Sequence, residues 1–386
     1  MNRIPVITGV GLVTPLGSDV GETWRALMDG QHIMAHSRCP LEPTSPDRVN
    51  RLATVAAGEA IADAGWTESR PVFGPVNPPT RGRADSLSSR TALVAATSKG
   101  AVDAWMTAPP EISFLASTAV AVRERFPFLD GPSLTLSAAC ASGLHALIRA
   151  AMMIQSGEAD RVLVVAAEAS VHPLFLASFQ RLGVLPREGV GCRPFDEDRG
   201  GFLMSESAAA VCLESAEVSP RRSKGPQVRR PGYARIDRFA LGGDATHMTG
   251  GDPGGETLRR LLRSVAAARA VDLIHAHGTG TTFNDPIELA AFEDELGAQN
   301  GANRPTVYSH KGALGHSLGA AGLVAIVLNC LMHRKSIVPP NIQTRRALVT
   351  RRVALSREAA ERPIARSVTV GSGFGGPMAV VALISP

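Results

Sequence analysis

Long apolar runs, paired cysteines and lysine are all scarce in this 386-residue sequence. No uninterrupted stretch of about 18 apolar residues is present, and the first residues lack the apolar segment of a secretory signal, so we expect no membrane span and a cytoplasmic protein. The five cysteines are odd in number, widely spaced and without a CxxC pair. A disulfide framework or a zinc site is therefore not expected, and each cysteine is interpreted as a free thiol.

Lysine provides only four of the forty basic residues, and the net charge is +5. An arginine-rich surface suits acidic or phosphate-bearing partners. Nucleic acid is not expected among them, because the sequence has no basic stripe interleaved with aromatics, no zinc finger and no helix-turn-helix pattern. Aromatic residues make up only 4% of the chain, and apolar residues 44%, so the core is built largely from small side chains.

The N-terminal quarter has a strand, a helix and two loop-like regions. Apolar residues from Ile4 to Val10 predict a strand that glycines end, and residues 20–28 predict a helix. Residues 37–50 and 67–90 are rich in Pro, Ser and Arg and are interpreted as loops around a short helix near 51–64.

From Leu93 onward, apolar runs alternate with helical patterns. Helices are expected near residues 140–156, 255–269, 286–296 and 317–332. The strand candidates, in chain order, are LVAAT, LTLSA, VLVVAAE, AAAVCLE, YARIDRFAL, DLIHAH, PTVYSH, SVTVGSG and MAVVALI. This alternation predicts an α/β protein with helices on the faces of mixed sheets.

Two segments share one layout and indicate an internal duplication. The segments starting at Leu134 and at Pro305 each run from a short strand through a small-residue elbow into a long apolar helix, a polar turn and another strand. A basic, proline-flanked stretch at 219–231 marks the junction, so we divide the chain into halves at 1–225 and 226–386. Two such halves would bring both elbows to one central site.

The first elbow carries Cys140 among small residues, in the run SAACASG. Small residues leave room for a tight turn and for a substrate. The following helix presents unpaired N–H groups and a partial positive charge to the thiol, which favours its ionisation. An isolated cysteine is ordinarily a small core residue; that interpretation is kept for the other four, Cys39, Cys192, Cys212 and Cys330.

A second chemical signal is HAHGTGT, where His275 and His277 lie two residues apart on a predicted strand and so share a face. His277 immediately precedes the glycine that ends the strand, a position typical of catalytic groups. Thr279 and Thr281 add hydroxyls beside it that suit a polar chain.

A third signal is YSHKGALGHSLGAAG, in which Lys311 and His316 lie among glycines at the entry to an apolar helix. Phe374 lies in the glycine-rich turn GSGFGG, where its N–H could help to bind an oxyanion. Asp285 and Glu288 are interpreted as structural charges at the start of a helix. One cysteine and two histidines at three glycine-rich elbows predict a catalytic site without a metal.

Taken in order, SAACASG, HAHGTGT, SHKGALGHSLGAAG and GSGFGG resemble the β-ketoacyl-acyl carrier protein synthases of the thiolase superfamily. The resemblance covers almost the whole chain, including PFDEDRGGF, and is weak only near residues 31–110. It implies a five-layered αβαβα fold of two pseudo-symmetric halves, the thiolase-like fold, in a chain that usually forms dimers. It also implies condensation of a cysteine-bound acyl group with malonyl thioester on acyl carrier protein.

The resemblance assigns a role to each residue that matches a family motif. Cys140 matches the acyl-accepting nucleophile, and His277 and His316 match the pair that promotes decarboxylation of the malonyl group. Lys311 matches the lysine that supports the second histidine. Phe374 matches the residue beside the acyl pocket whose N–H, with that of Cys140, forms the oxyanion hole. No cofactor is implied, because phosphopantetheine is carried by the substrate's carrier protein.

Three departures from the family pattern are present. Ala325 stands where elongating members usually have a glutamate nine residues after the second histidine, and Met378 replaces the usual asparagine after GFGG. The stretch from Ser205 to Ala208 keeps the acid of the usual Gly-Glu-Gly-Ala and loses its glycines. These changes favour a specialised polyketide or unusual-lipid pathway at least as much as fatty acid elongation.

Two alternatives remain open from the sequence. One is an acyltransferase or initiating condensing enzyme that uses coenzyme A thioesters. The other is a non-catalytic partner subunit, like a chain-length factor, although retention of Cys140, His277 and His316 argues against it. A homodimer is expected, and a heterodimer with a related subunit is compatible with the same pattern.

Overall fold

The computed structural model describes residues 3–41, 47–66, 91–105, 115–216, 232–248, 250–266, 269–298 and 303–386. The elements of the first half are β1 Pro5–Val13, α1 Val20–Met28, α2 Arg48–Ala64, β2 Thr91–Ala96, α3 Ser117–Arg125, β3 Ser133–Leu136, α4 Ser142–Ser156, β4 Arg161–Glu168, α5 Pro173–Arg181 and β5 Ser207–Ser215. Those of the second half are β6 Ala234–Gly243, α6 Glu256–Ala266, β7 Leu273–His275, α7 Asn284–Glu295, β8 Thr306–Tyr308, α8 Lys311–Leu314, α9 Ala321–Lys335, β9 Ile337–Val338, β10 Ala354–Leu355, β11 Ala360–Glu361, β12 Arg366–Ser372 and β13 Pro377–Ile384.

The same strand order occurs twice in the sheet, which confirms the predicted duplication. The first half runs β3-β2-β4-β5-β1 and the second runs β8-β7-β12-β13-β6, with β10 added beside β8. In each half the first three strands are parallel and the remaining pairs are antiparallel. The halves join where Val6 pairs with Arg235 and Ile7 with Ala234. The boundary predicted between 225 and 226 lies outside the described residues and stays a prediction.

Helices and sheets form the five layers of the expected αβαβα arrangement. Helices α4 and α9 contact each other and lie between the two half-sheets, whereas α2 and α3 cover the outer face of the first half-sheet and α6 and α7 that of the second. The central layer explains the composition of α9, which is buried from Ala321 to His333. A helix buried on all sides must be apolar on all sides.

Within the described residues, one helical stretch is long and apolar enough to cross a membrane, and it runs through the same central layer. Residues 318–335 pass that test of length and composition, but 89% of the stretch is buried inside the protein. This is the position of a core helix.

Local signals explain several element boundaries. Helix α1 begins at Val20, as predicted, because the Asp19 side chain accepts the N–H of Glu22 at 2.7 Å. Helix α2 ends at Gly65, which has a left-handed φ of 68°, and α4 ends in the same way at Gly157.

Some expectations need correction or fall outside the described residues. Helices α3, α5 and α8 were not predicted, and β7 is shorter than DLIHAH because it ends at His275. The segment interpreted as a loop at 37–50 contains the start of α2, at Arg48. The loop at 67–90 and the basic stretch at 219–231 lie outside the described residues.

Candidate active site

The first elbow lies between β3 and α4, where Cys140 directly follows a strained residue. Ala139 has φ 47°, in the left-handed region that non-glycine residues rarely adopt. The Ser142 hydroxyl supports the turn, since it accepts the Ala138 N–H at 2.8 Å and donates to the Ala139 carbonyl at 2.6 Å. Strain that the surrounding structure enforces is characteristic of functional turns.

Glycines allow the two central helices and the neighbouring turn to approach this elbow. A Cβ atom on Gly143 of α4 would lie 2.8 Å from the backbone nitrogen of Leu323 in α9. A Cβ atom on Gly373 would lie 3.1 Å from the backbone nitrogen of Cys140. The starts of both central helices and the glycine-rich turn after β12 therefore meet at one point.

The second elbow, related to the first by the duplication, carries Lys311 and His316. Its turn passes through Gly315, with φ 74°, where a Cβ atom would lie 2.8 Å from the Leu203 carbonyl oxygen. The His316 N–H donates to that same carbonyl at 2.7 Å, and the His316 carbonyl accepts the Ser205 N–H at 3.1 Å. The backbone of His316 is thus held against the segment that enters β5.

The loop after β7 carries His277, and here the sequence expectation was wrong in one respect. The strand ends at His275, so the two histidines do not share a strand face: His275 is bonded to Asn329 and His310 in the core. The His277 ring lies edge-on to the His316 ring, with centroids 5.4 Å apart. Two imidazoles therefore converge from two different elbows of the second half.

Asp285 and Glu288 hold this loop by its backbone, a role that goes beyond charges at a helix start. Both are essentially fully buried. The two oxygens of Glu288 accept the N–H groups of His277 at 2.6 Å and Gly278 at 2.7 Å. Asp285 accepts the Gly280 N–H at 3.1 Å. Carboxylates that receive several backbone N–H groups fix a loop firmly.

A cavity of about 550 Å³ brings the predicted residues together. Its walls include Cys140, His277 and His316, and also Phe374, Thr279 and Thr281, so six of the seven predicted site residues line it. Lys311 lies behind this wall, 2% exposed, and its ammonium donates to the backbone oxygen of His277. The lysine thus supports the first histidine directly.

The electrostatics of Cys140 differ from the expectation. Burial, reinforced by the Glu168 carboxylate, raises the pKa of the thiol to about 11, although the charges of Lys99 and Lys311 and the N–H of Phe374 oppose the shift. The resting cysteine is therefore a neutral thiol at pH 7, and the predicted ionisation is wrong in sign.

Both cavity histidines are neutral. Burial, with a smaller contribution from the Lys311 charge, lowers the pKa of His277 and of His316 well below the usual 6.5. Burial also lowers the pKa of Lys311, and the Glu288 carboxylate counteracts this. A neutral imidazole carries one N–H, so each of the two rings can donate one hydrogen bond to a substrate oxygen.

Glu168, at the end of β4, supports the site and was not predicted from the sequence. Its fully buried carboxylate accepts from the Ser98 N–H at 2.9 Å, the Ser98 hydroxyl at 2.7 Å and the Gly319 N–H at 3.2 Å. It thereby ties the first half to the residues that follow His316. The sequence marks Glu168 in one way: it is an acidic residue at the end of the otherwise apolar run VLVVAAE.

The structure shows where the residues that depart from the family pattern lie. Glu206, the retained acid of the Ser205–Ala208 stretch, is fully buried and paired with Arg48, whose Nε lies 2.9 Å from it. Ala325 lies buried on α9, and Met378 lines the cavity. The four cysteines interpreted as structural are all buried.

Comparisons with known proteins agree with this geometry. The family model described as Beta-ketoacyl synthase, N-terminal domain, matches residues 35–219, and the one described as Beta-ketoacyl synthase, C-terminal domain, matches residues 233–345. A 3-oxoacyl-[acyl-carrier-protein] synthase 2 of Rhizobium meliloti is 30% identical over 99% of each chain. A protein of Streptomyces cyaneus described as a polyketide beta-ketoacyl synthase 1 is 32% identical over 100% of this chain and 99% of its own.

A solved structure, the ishigamide ketosynthase/chain length factor, matches with a TM-score of 0.83, 26% identity and full coverage of both chains. It supports the layered architecture described above.

Proposed function

This chain belongs to the β-ketoacyl synthase family, and from that membership we propose that it catalyses the decarboxylative condensation of a cysteine-bound acyl group with malonyl-ACP to give 3-ketoacyl-ACP. The observation that carries the proposal is the cavity in which Cys140 of the first half meets His277 and His316 of the second. The reaction needs a nucleophile and a site for enolate charge within reach of each other, and the seam between the halves supplies both.

In the first step, the sulfur of Cys140 attacks the carbonyl carbon of an acyl thioester. The tetrahedral oxygen is received by the N–H groups of Cys140 and Phe374, and the carrier thiol departs with the proton that the cysteine loses. In the resting site, the Phe374 N–H is close enough to the sulfur to lower the pKa of the thiol. Because that pKa is near 11, proton removal accompanies the attack and does not precede it.

In the second step, His277 and His316 donate hydrogen bonds to the thioester oxygen of malonyl-ACP. As CO₂ leaves, negative charge develops on that oxygen, and one donor of this kind contributes about 3 kcal/mol. The enolate carbon then attacks the acyl carbonyl on Cys140, so that a C–C bond forms and the C–S bond breaks. Thr279 and Thr281 line the approach and offer hydroxyls to the phosphopantetheine arm, which the carrier protein brings as part of the substrate.

The partners follow from the same proposal. The acidic carrier protein would dock on an arginine-rich surface near the cavity, in keeping with the net charge of +5. We propose a homodimer in the cytoplasm, and the similarity to a ketosynthase/chain length factor makes a heterodimer the second arrangement to test. Light scattering of the purified chain, alone and with a related subunit, separates the two.

The deciding experiment incubates the protein with acyl-ACP and malonyl-ACP and follows both the mass of Cys140 and the 3-ketoacyl product. Cys140→Ala should abolish acylation, whereas His277→Ala and His316→Ala should acylate normally and fail to condense. Acylation from coenzyme A thioesters without condensation would favour an acyltransferase. Absence of any acylation would overturn the catalytic proposal and favour a partner subunit.

A further inference from the structure

Two buried histidines of the second half take no part in the proposed chemistry and are linked in a chain of hydrogen bonds. The Asn329 amide donates to the Thr369 hydroxyl at 2.8 Å, and its oxygen faces His275 Nδ1 at 2.7 Å. His275 Nε2 faces His310 Nδ1 at 2.9 Å. All four residues are at most 1% exposed. A buried chain of this kind stabilises only if each donor meets an acceptor.

The polarity of the chain fixes both tautomers. With the Asn329 oxygen turned to His275, the proton of His275 lies on Nδ1 and its Nε2 is an acceptor. His310 must then donate from Nδ1, which leaves its Nε2 as a bare acceptor; that atom is buried and has no hydrogen-bond partner among the described residues. Both rings are neutral, because burial lowers the pKa of His275 to about 3 and that of His310 well below 6.5.

The chain connects the elements that carry the second half of the active site. His275 ends β7, two residues before His277. The His310 carbonyl accepts the Ala313 N–H at 3.0 Å and so starts α8, whose first residue is Lys311. Asn329 belongs to α9, one helical turn beyond Ala325, on the helix that follows the His316 elbow.

We propose that Asn329, His275 and His310 form a positioning relay that holds His310 in the Nδ1–H tautomer and thereby fixes the Lys311 and His316 elbow for decarboxylation. The relay rests on the proposed function for its catalytic consequence. In this chain α9 has an alanine at position 325, where elongating family members usually have a glutamate. The relay supports the elbow from inside the core. The three residues act through Lys311 and His316 and do not touch the substrate.

The first test needs no substrate. In protein labelled with ¹⁵N-histidine, His275 and His310 should both give the signals of the neutral Nδ1–H tautomer at pH 7, assigned with single His→Gln variants. Asn329→Asp keeps an acceptor opposite Nδ1 and should preserve both tautomers, whereas Asn329→Leu should mix them. Nε2–H protonation of His310 in the unaltered protein would overturn the relay, even if Asn329→Leu failed to fold.

The second test compares the same variants in malonyl-ACP decarboxylation, with acylation of Cys140 as the internal reference. Asn329→Leu should lower decarboxylation roughly tenfold or more, since small misplacements of catalytic groups are costly, and should change acylation less than twofold. Asn329→Asp should recover most of that loss. A packing role predicts the reverse order, because leucine fills the apolar core better than a carboxylate, and that order would overturn the proposal.

The matched control is His333→Leu, one turn further along α9. His333 is also buried and hydrogen-bonded, to Ser367 and Ser385, but lies outside the relay. His333→Leu should lower the free energy of unfolding without lowering decarboxylation more than acylation. A loss of decarboxylation as selective as that of Asn329→Leu would contradict the relay. If the unaltered protein does not decarboxylate malonyl-ACP, the proposed function fails, while the tautomer measurement still decides the relay.

Discussion

Glu288→Gln perturbs the loop that carries His277 while leaving the shape of the side chain nearly unchanged. In the native protein one carboxylate oxygen accepts the His277 N–H at 2.6 Å and the other accepts the Gly278 N–H at 2.7 Å. Glutamine has a single oxygen, so one of these N–H groups must face an amide NH₂. A hydrogen bond to a charged group contributes about 1.5–3 kcal/mol, and an unsatisfied buried donor costs a similar amount.

Burial raises the pKa of Glu288, which weakens the charged acceptor, so we expect the free energy of unfolding to fall by about 1.5–2 kcal/mol, near the lower end of that range. Urea unfolding followed by circular dichroism measures this change. In the Glu288→Gln variant, the rate of condensation should fall roughly tenfold or more because the His277 ring moves. Acylation should stay within twofold of the native rate, because Cys140 lies in the other half of the chain.

The matched control is Asp294→Asn, on the same helix, where an exposed carboxylate pairs with Arg259. It should change the free energy of unfolding by less than about 1 kcal/mol and leave both half-reactions intact. The reasoning is refuted if Glu288→Gln lowers acylation and condensation equally, or if it leaves the free energy of unfolding unchanged.

Three further predictions concern other parts of the molecule. Alkylation of Cys140 by iodoacetamide should accelerate about tenfold per pH unit from pH 7 to pH 10, because the thiol pKa is raised to about 11; a plateau below pH 8 would contradict the raised pKa. A ¹⁵N NMR titration should show both His277 and His316 neutral from pH 8 down to pH 6, since burial lowers the pKa of each ring, and protonation of either ring centred near pH 6.5 would contradict this. Arg48→Met should cost about 3 kcal/mol of unfolding free energy, because the buried Glu206 carboxylate keeps only the more distant Arg38, at 3.7 Å, as a cationic partner; Glu206→Gln added to it should recover part of the loss, and equal stability of Arg48→Met and the native chain would refute the pairing.

The architecture was largely predictable because it repeats. Strand runs with small-residue elbows occur twice in the chain, and the sheet order repeats in the same way. The start of α1 was predicted at Val20 because Asp19 is a local cap. Helix α5 was missed although Pro173, at its first position, is a recognised start signal, because the capping residue is His172, which is not a usual N-cap.

The sequence predicted that Cys140, His277 and His316 would lie together, and they line one cavity, but it did not predict their electrostatics. Cys140, His277 and His316 stand out through glycine-rich surroundings that are local in sequence. The pKa of Cys140 depends on burial and on Glu168, which approaches from the end of another strand. The partners of His275 are distant in sequence: Asn329 lies 54 residues away. Contacts of that kind leave no local pattern.

In the proposed reaction, the doubled sheet divides the chemistry between two copies of one structural unit. One copy would contribute the acyl-accepting thiol of Cys140, and the other the imidazoles of His277 and His316 that stabilise the enolate charge; all three residues line one cavity. A pair of identical first halves would place two thiols at the seam, and a pair of identical second halves would place four imidazoles there with nothing to hold the acyl group. Covalent linkage of two diverged copies therefore places one thiol and one pair of imidazoles at every seam. It also lets substitutions near the thiol accumulate without the same change being made near the histidines.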